Sequence, residues 1–177
     1  MAHIHIPLTS KKDPTGLKLV GRNRDGRYQY ASVSVLGHRN IVNLSHPQRV
    51  GLALVKAALT ETFGTYWVFP MTRASAHLGF GTFGMKEMWL QRPELERIGE
   101  SFLGSDPSER SWAQGLWKIV VHECGHNFQA YGTKPHGPEF KRAESDARLK
   151  LWKLLRKDWP KVDMRKLRES KLPASKK

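Results

Sequence analysis

The segment from Ser108 to Tyr131 constrains this chain more than any other. Trp112, Leu116, Trp117, Ile119, Val120, Val121, Phe128 and Ala130 place apolar groups on nearly every side of one helix. A helix with no polar face has to be wrapped by the rest of the molecule. Ser108, with Ser111 as an alternative, can accept a hydrogen bond from its first backbone N–H groups, and Gly132 can end it. Yet the same helix carries His122, Glu123 and His126. Polar groups at buried positions are costly unless they are satisfied. The fold therefore has to be organised around a polar site inside a buried helix.

The flanking sequence supplies the wrapping. Ser45-His46-Pro47 opens a second helix, in which Val50, Leu54, Ala57 and Ala58 recur at helical spacing before Gly64. Three short strands are expected next, at 65–69 before Pro70, within 74–83 and at 86–91. Turn residues between them predict a small, mostly antiparallel sheet. In 74–83 the alternation puts Ala76, Leu78 and Phe80 on one side, and the glycines allow close passage of the strand to the central helix or to substrate. Residues 93–108 read as a loop or short helix. Pro138 begins a last helix, and Pro160 terminates it. Upstream, 28–35 and 41–44 read as a hairpin around Gly37-His38-Arg39-Asn40, and 1–27 as an irregular arm punctuated by Pro7, Pro14, Gly16, Gly21 and Gly26. This is an α+β chain of three parts: a basic N-terminal arm with a possible hairpin (1–45), a domain (46–159) and a basic tail (160–177).

Composition excludes several classes. At 177 residues and 39% hydrophobic, the chain can bury one core, so wholesale disorder is excluded. No apolar run reaches the roughly 18 residues of a membrane span. The N-terminus lacks the pattern of a secretory signal, so an intracellular location, cytoplasmic or associated with nucleic acid, is expected. A single cysteine, Cys124, rules out an intrachain disulfide. Thirty Lys and Arg against sixteen Asp and Glu give a net charge of +14, which favours a polyanionic partner. The excess sits at the ends: net +6 over 1–49, +5 over 160–177, and only +3 between. Basic ends around a balanced middle predict nucleic-acid contacts, with DNA ahead of RNA, made through the ends.

His122-Glu123-Cys124-Gly125-His126 is an H-E-x-x-H sequence. Residues four apart share a helix face, so both imidazoles reach one Zn²⁺, while the glutamate one position on points beside the open coordination place. There it can serve as general base toward the attacking water. Chance would produce the pattern in roughly two chains in a hundred of this composition. A third protein ligand is needed. The longer H-E-x-x-H-x-x-G-x-x-H pattern fails, because positions 129 and 132 are Gln129 and Gly132. His136, just ahead of the last helix, is the preferred third ligand, and Glu144 on that helix is the alternative.

The paired motifs His122-Glu123-Cys124-Gly125-His126 and His136-Gly137-Pro138-Glu139-Phe140 resemble the SprT-like zinc metallopeptidases, including the Spartan-type proteases. The order of helix, three strands and metal helix over about 46–157 is similar too. The resemblance implies a minimal zincin-type metallopeptidase fold, three histidine ligands, catalytic Glu123, and proteins attached to or near DNA as substrates. The paired-cysteine zinc ribbon of many such proteins is missing, and 1–45 has no counterpart in that family. A rival reading is a nucleic-acid-associated structural or assembly protein on this scaffold, without turnover. Tyr131 and Tyr66 are weak candidates to stabilise an oxyanion. Cys124 reads as a small buried residue rather than a redox group. The six tryptophans read mainly as core, with Trp159 the expected exposed one and base stacking the functional alternative.

Overall fold

The computed structural model describes residues 15–33, 39–71, 77–104 and 117–156. The Ser108 cap, Trp112, Trp159, His38 and the tail 160–177 lie outside the described residues. Ten elements follow one another: β1 (Lys18–Arg22), β2 (Tyr28–Val33), β3 (Arg39–Leu44), α1 (His46–Phe63), β4 (Trp67–Pro70), β5 (Gly79–Gly81), β6 (Glu87–Leu90), α2 (Arg92–Gly104), α3 (Lys118–Phe128) and α4 (Pro138–Leu155). The architecture is α+β, with four helices and two three-stranded sheets among the described residues.

α1 is the hub of the core. Its start is a complete capping box: Ser45 Oγ accepts from the Gln48 backbone N–H, and Gln48 Oε1 accepts from that of Ser45. It ends where Gly64, at φ +85°, gives its N–H to the Thr60 carbonyl. Between these points Leu52, Leu54, Val55, Ala58 and Leu59 are fully buried. α2 crosses α1 with backbone against backbone. A β-carbon at Gly51 would collide with the Leu95 carbonyl, and one at Gly99 with the Pro47 carbonyl.

The first sheet corrects the reading of 1–27 as an irregular arm. Lys18–Arg22 is a strand antiparallel to β2, and β2 pairs in turn with β3. Asn23 forms the turn, its side chain accepting from the Asp25 and Arg27 N–H groups. Tyr28, Tyr30, Val42 and Leu44 point inward and join the same buried cluster as α1. Arg49 is buried with them, its Nε 2.9 Å from the Tyr30 hydroxyl.

The second sheet is mixed, not mostly antiparallel. Its order is β4-β6-β5, with β4 parallel to β6 and β5 antiparallel to it. β5 and β6 form a hairpin that swings back so that β6 lands beside β4 in the middle of the sheet. The alternation expected in 74–83 faces outward: Leu78 and Phe80 are more than half exposed, while Gly79 and Gly81 are buried. Trp67 is also about half exposed, whereas Trp117 and Trp152 are buried, so the tryptophans divide between core and outer sheet face. No described helix is long and apolar enough to cross a membrane.

The α1–α2 crossing yields a prediction. Gly51→Ala and Gly99→Ala each force the two helices apart, at a cost of about 1–3 kcal/mol of overpacking. Denaturant unfolding should show both midpoints lowered, with Gly104→Ala as a control, because a β-carbon there meets nothing within 4 Å.

Candidate metal centre

α3 begins at Lys118, after the fully buried Trp117. It stops at Phe128, short of the expected end near Tyr131. The cause is Gln129, whose backbone turns extended (φ −68°, ψ 144°) while its side chain, 1% exposed, takes up local hydrogen bonds. Its Nε2 donates to Thr133 Oγ1 at 2.9 Å and to the Lys134 carbonyl at 3.3 Å. Gly132 has positive φ, but it lies in the loop rather than at the helix end.

His122 and His126 share one face of α3, as their spacing requires. The loop after Gln129 brings His136 over that face. Ligand atoms of His122, His126 and His136 all lie within 4.8 Å of one another, close enough to hold one metal ion. The Nε2 atoms of His122 and His136 are 3.2 Å apart. Two nitrogens on a tetrahedral zinc, each bonded at about 2.0–2.1 Å, would be separated by about 3.3 Å, so the spacing fits.

The opposite ring nitrogens are held by protein acceptors. Nδ1 of His122 lies 3.3 Å from Glu144 Oε2, and Nδ1 of His126 lies 2.8 Å from Gln129 Oε1. Such partners fix the tautomer and leave the other nitrogen free to ligate. Glu144, the alternative third ligand in the sequence, thus sits behind His122, where Arg148 also binds it at 3.2 Å. Burial lowers the pKa of both His122 and His126, which favours the neutral ring.

Phe140 is the floor. Its ring centroid is 5.0, 4.5 and 4.9 Å from those of His122, His126 and His136. It reaches that position because Gly125 has no side chain: a β-carbon there would lie 2.5 Å from the Phe140 ring. Phe83 also stacks on His126, with centroids 5.1 Å apart.

Glu123 points toward β5. Its side chain is almost wholly buried, and burial pushes its pKa up to about 7, opposed by a hydrogen bond from the backbone N–H of Gly81. Gly79 and Gly81 make this possible, since a β-carbon at either would press on the Glu123 side chain. One turn further on, Asn127 donates to the Thr82 and Glu87 carbonyls at 3.0 and 2.7 Å. It also accepts from the Tyr66 hydroxyl.

Sequence reasoning missed Gln129, Glu144 as a partner of His122, the Phe140 floor and Asn127. Gln129 and Asn127 carried a weak signal, as buried amides in the last turn of a polar-bearing helix. Tyr66 is buried with its hydroxyl on Asn127, also 3.6 Å from Cys124 Sγ, and Tyr131 is 89% exposed. Neither tyrosine therefore has a hydroxyl tied into the histidine cluster by a described hydrogen bond. Cys124 is fully buried with its thiol pushed up to about 12 by burial, which makes it inert. The chain matches no protein-family model, no curated protein and no solved structure.

Two predictions follow from this geometry. Ligand substitution and partner substitution should differ in degree. His136→Ala should abolish stoichiometric metal binding, while Glu144→Ala and Gln129→Ala should keep one site per chain with affinity lowered 10- to 100-fold, measured by competition with a chelating dye. The second concerns acid–base linkage. The folded Glu123 carboxyl holds its proton up to about pH 7, whereas the unfolded one releases it near 4.5. The folded state binds more protons in that window, so stability present below pH 4.5 is lost as pH rises through 7. Unfolding of metal-free protein at pH 4.5 and 7.5 should show the parent losing about 3 kcal/mol more than Glu123→Gln over that range. The paired comparison cancels the histidine contributions, which run the other way.

Proposed function

We propose that this chain is a zinc-dependent endopeptidase of the SprT-like, zincin type, acting on proteins bound to or near nucleic acid. The observation that carries the reading is the pairing of a three-histidine cluster with a buried carboxyl on the next residue of the same helix. A purely structural metal site has no use for Glu123. Zinc is the metal we favour because the donors are three imidazoles with no further protein donor drawn into the cluster among the described residues, the pattern of an open catalytic site. His122, His126 and His136 would hold it, and when bound it supplies Lewis acidity toward a substrate carbonyl and lowers the pKa of water.

The remaining work falls to the chain. Glu123 accepts the proton of the attacking water and delivers it to the leaving amine. Its raised pKa suits a group that must do both near neutrality. Among the described residues β5 is an edge strand, paired on one side only, with β6, and it runs beside Glu123. An extended peptide added along that edge would bring its backbone past Glu123 and the histidines. The H-G-P-E-F placement of His136 and Phe140 supports the family resemblance, and the preference for substrates near DNA comes from that resemblance and from the net charge. The charge of residues 1–49 is carried in part by the folded β1–β2 hairpin, where Lys18, Arg24 and Arg27 are exposed.

Glu123→Gln keeps the size and hydrogen-bonding shape of the side chain but cannot take up the proton. The variant should retain its zinc and lose at least 10²–10⁴-fold in proteolysis of a protein substrate, assayed with and without single-stranded DNA. Equal cleavage by parent and variant would place the base elsewhere. A zinc-loaded parent without activity on any protein would favour the structural rival. Removing 160–177 together with Arg24→Glu and Arg27→Glu should weaken DNA binding and flatten its dependence on salt, because fewer counterions are released.

A further inference from the structure

A pocket of about 640 Å³ opens beside His122, between α2, the first turns of α3 and α4. Its walls are of two kinds. Leu78, Val121 and Trp152 give it apolar sides. Arg97, Lys118 and Arg148 bring three cations to it, against Glu94 and Glu144.

The acids are already engaged. Glu94, 6% exposed, is held by Arg97 at 2.6 Å. Glu144 is shared by Arg148 at 3.2 Å and His122 at 3.3 Å. Lys118 has no carboxylate partner among the described residues. It precedes His122 by one helical turn on the same face, and its charge is felt at the His122 ring. Among the described residues the pocket therefore has apolar sides, one cation without a carboxylate partner, and a rim that borders His122 of the histidine cluster.

The geometry points to this pocket as the specificity pocket of the enzyme, accepting an acidic substrate side chain whose carboxylate meets Lys118. The inference rests on the peptidase reading above, because it names a substrate preference for that same site. The apolar walls cover the methylene stem, and Lys118 supplies the opposite charge. Arg97 and Arg148 are each paired with a glutamate, so the net positive charge of the lining rests on Lys118 and neither arginine competes with it for the substrate carboxylate. A substrate lysine or arginine would meet Lys118 with no free carboxylate beside it, so the pocket discriminates by repulsion as well as attraction.

Cleavage-site profiling of the zinc-loaded full chain on a denatured protein mixture tests this. Glu and Asp should be enriched at one fixed position near the scissile bond. Lys118→Gln should flatten that enrichment, and Lys118→Glu should replace it with Lys and Arg. Lys118 is exposed on the first turn of α3, so both variants should fold and load zinc like the parent, checked by thermal unfolding and zinc content. A second arm uses no turnover. Zinc-loaded Glu123→Gln should bind a labelled capped peptide containing Glu about two- to fivefold more tightly than its Gln counterpart, the gain of one partly exposed charge pair. Adding Lys118→Glu should remove the difference. Cleavage without acidic preference, or a preference unchanged by Lys118→Glu, overturns the pocket assignment and leaves the peptidase reading intact. Glu-selective binding that depends on Lys118, in a protein whose parent cleaves nothing, upholds the pocket and overturns the peptidase reading. Absence of both binding and cleavage overturns both.

Discussion

The close approach of β5 to α3 is the constraint on which the site depends. At Gly81 an added β-carbon would lie 2.6 Å from the Glu123 carbonyl oxygen and 3.1 Å from both the Glu123 carboxylate and the Asn127 amide. Any residue but glycine would lift the strand off the helix. Laid flat, the strand shuts water away from Glu123 yet offers it one backbone N–H, which is how a carboxyl can be buried and still titrate near neutrality. Asn127 closes the same seam one turn later. Its two donor bonds go to carbonyls of the β5–β6 hairpin and its oxygen takes the Tyr66 hydroxyl, so the polar groups where helix meets sheet are satisfied.

On the other side of α3 the histidines are oriented by contacts that need no ion. Glu144 grips His122 from behind, Gln129 grips His126, and Phe140 spaces all three rings. Gln129 does more than this. It ends α3, and its amide ties His126 to the loop that carries His136. One buried side chain therefore couples the length of the helix, the orientation of one histidine and the path leading to another. A site pre-arranged in this way would lose little conformational entropy on taking up a metal ion.

What could be read from the sequence was whatever rests on local periodicity or fixed spacing. α1 matched from cap to cap because Ser45, Pro47 and Gly64 each act within one turn. The His122/His126 pair and the suspicion that Gly79 and Gly81 mark a close approach came from the same kind of rule. The errors lie where long-range packing decided. β1 carries Gly21 and a bulged register with β2, so its strand pattern is broken in sequence and restored only by its partner. The parallel pairing of β4 with β6 depends on where the β5–β6 hairpin comes to rest. Leu78 and Phe80 do alternate, but the buried face is the glycine face, which no hydrophobicity rule would choose. Gln129 and Glu144 act through space on histidines three positions back and on a neighbouring helix, and their roles appear only once α3 and α4 are side by side.

His136 shows the tension between backbone and site most directly. Its φ of 59° is the only positive value at a non-glycine among the described residues. Left-handed backbone at such a residue costs on the order of 1 kcal/mol and persists only where its surroundings over-determine it. Here they do. Gln129 holds Thr133 and Lys134, the Gly137 N–H closes onto the Lys134 carbonyl at 3.0 Å, and Pro138 starts α4 directly afterwards. A glycine would take this backbone without strain but would bring no ring, so relief of strain cannot be what selects the residue. The loop holds an unfavourable conformation at the position whose imidazole completes the cluster on α3. Strain and convergence therefore coincide at one residue, the pattern expected where the surroundings hold a side chain in place against its backbone preference.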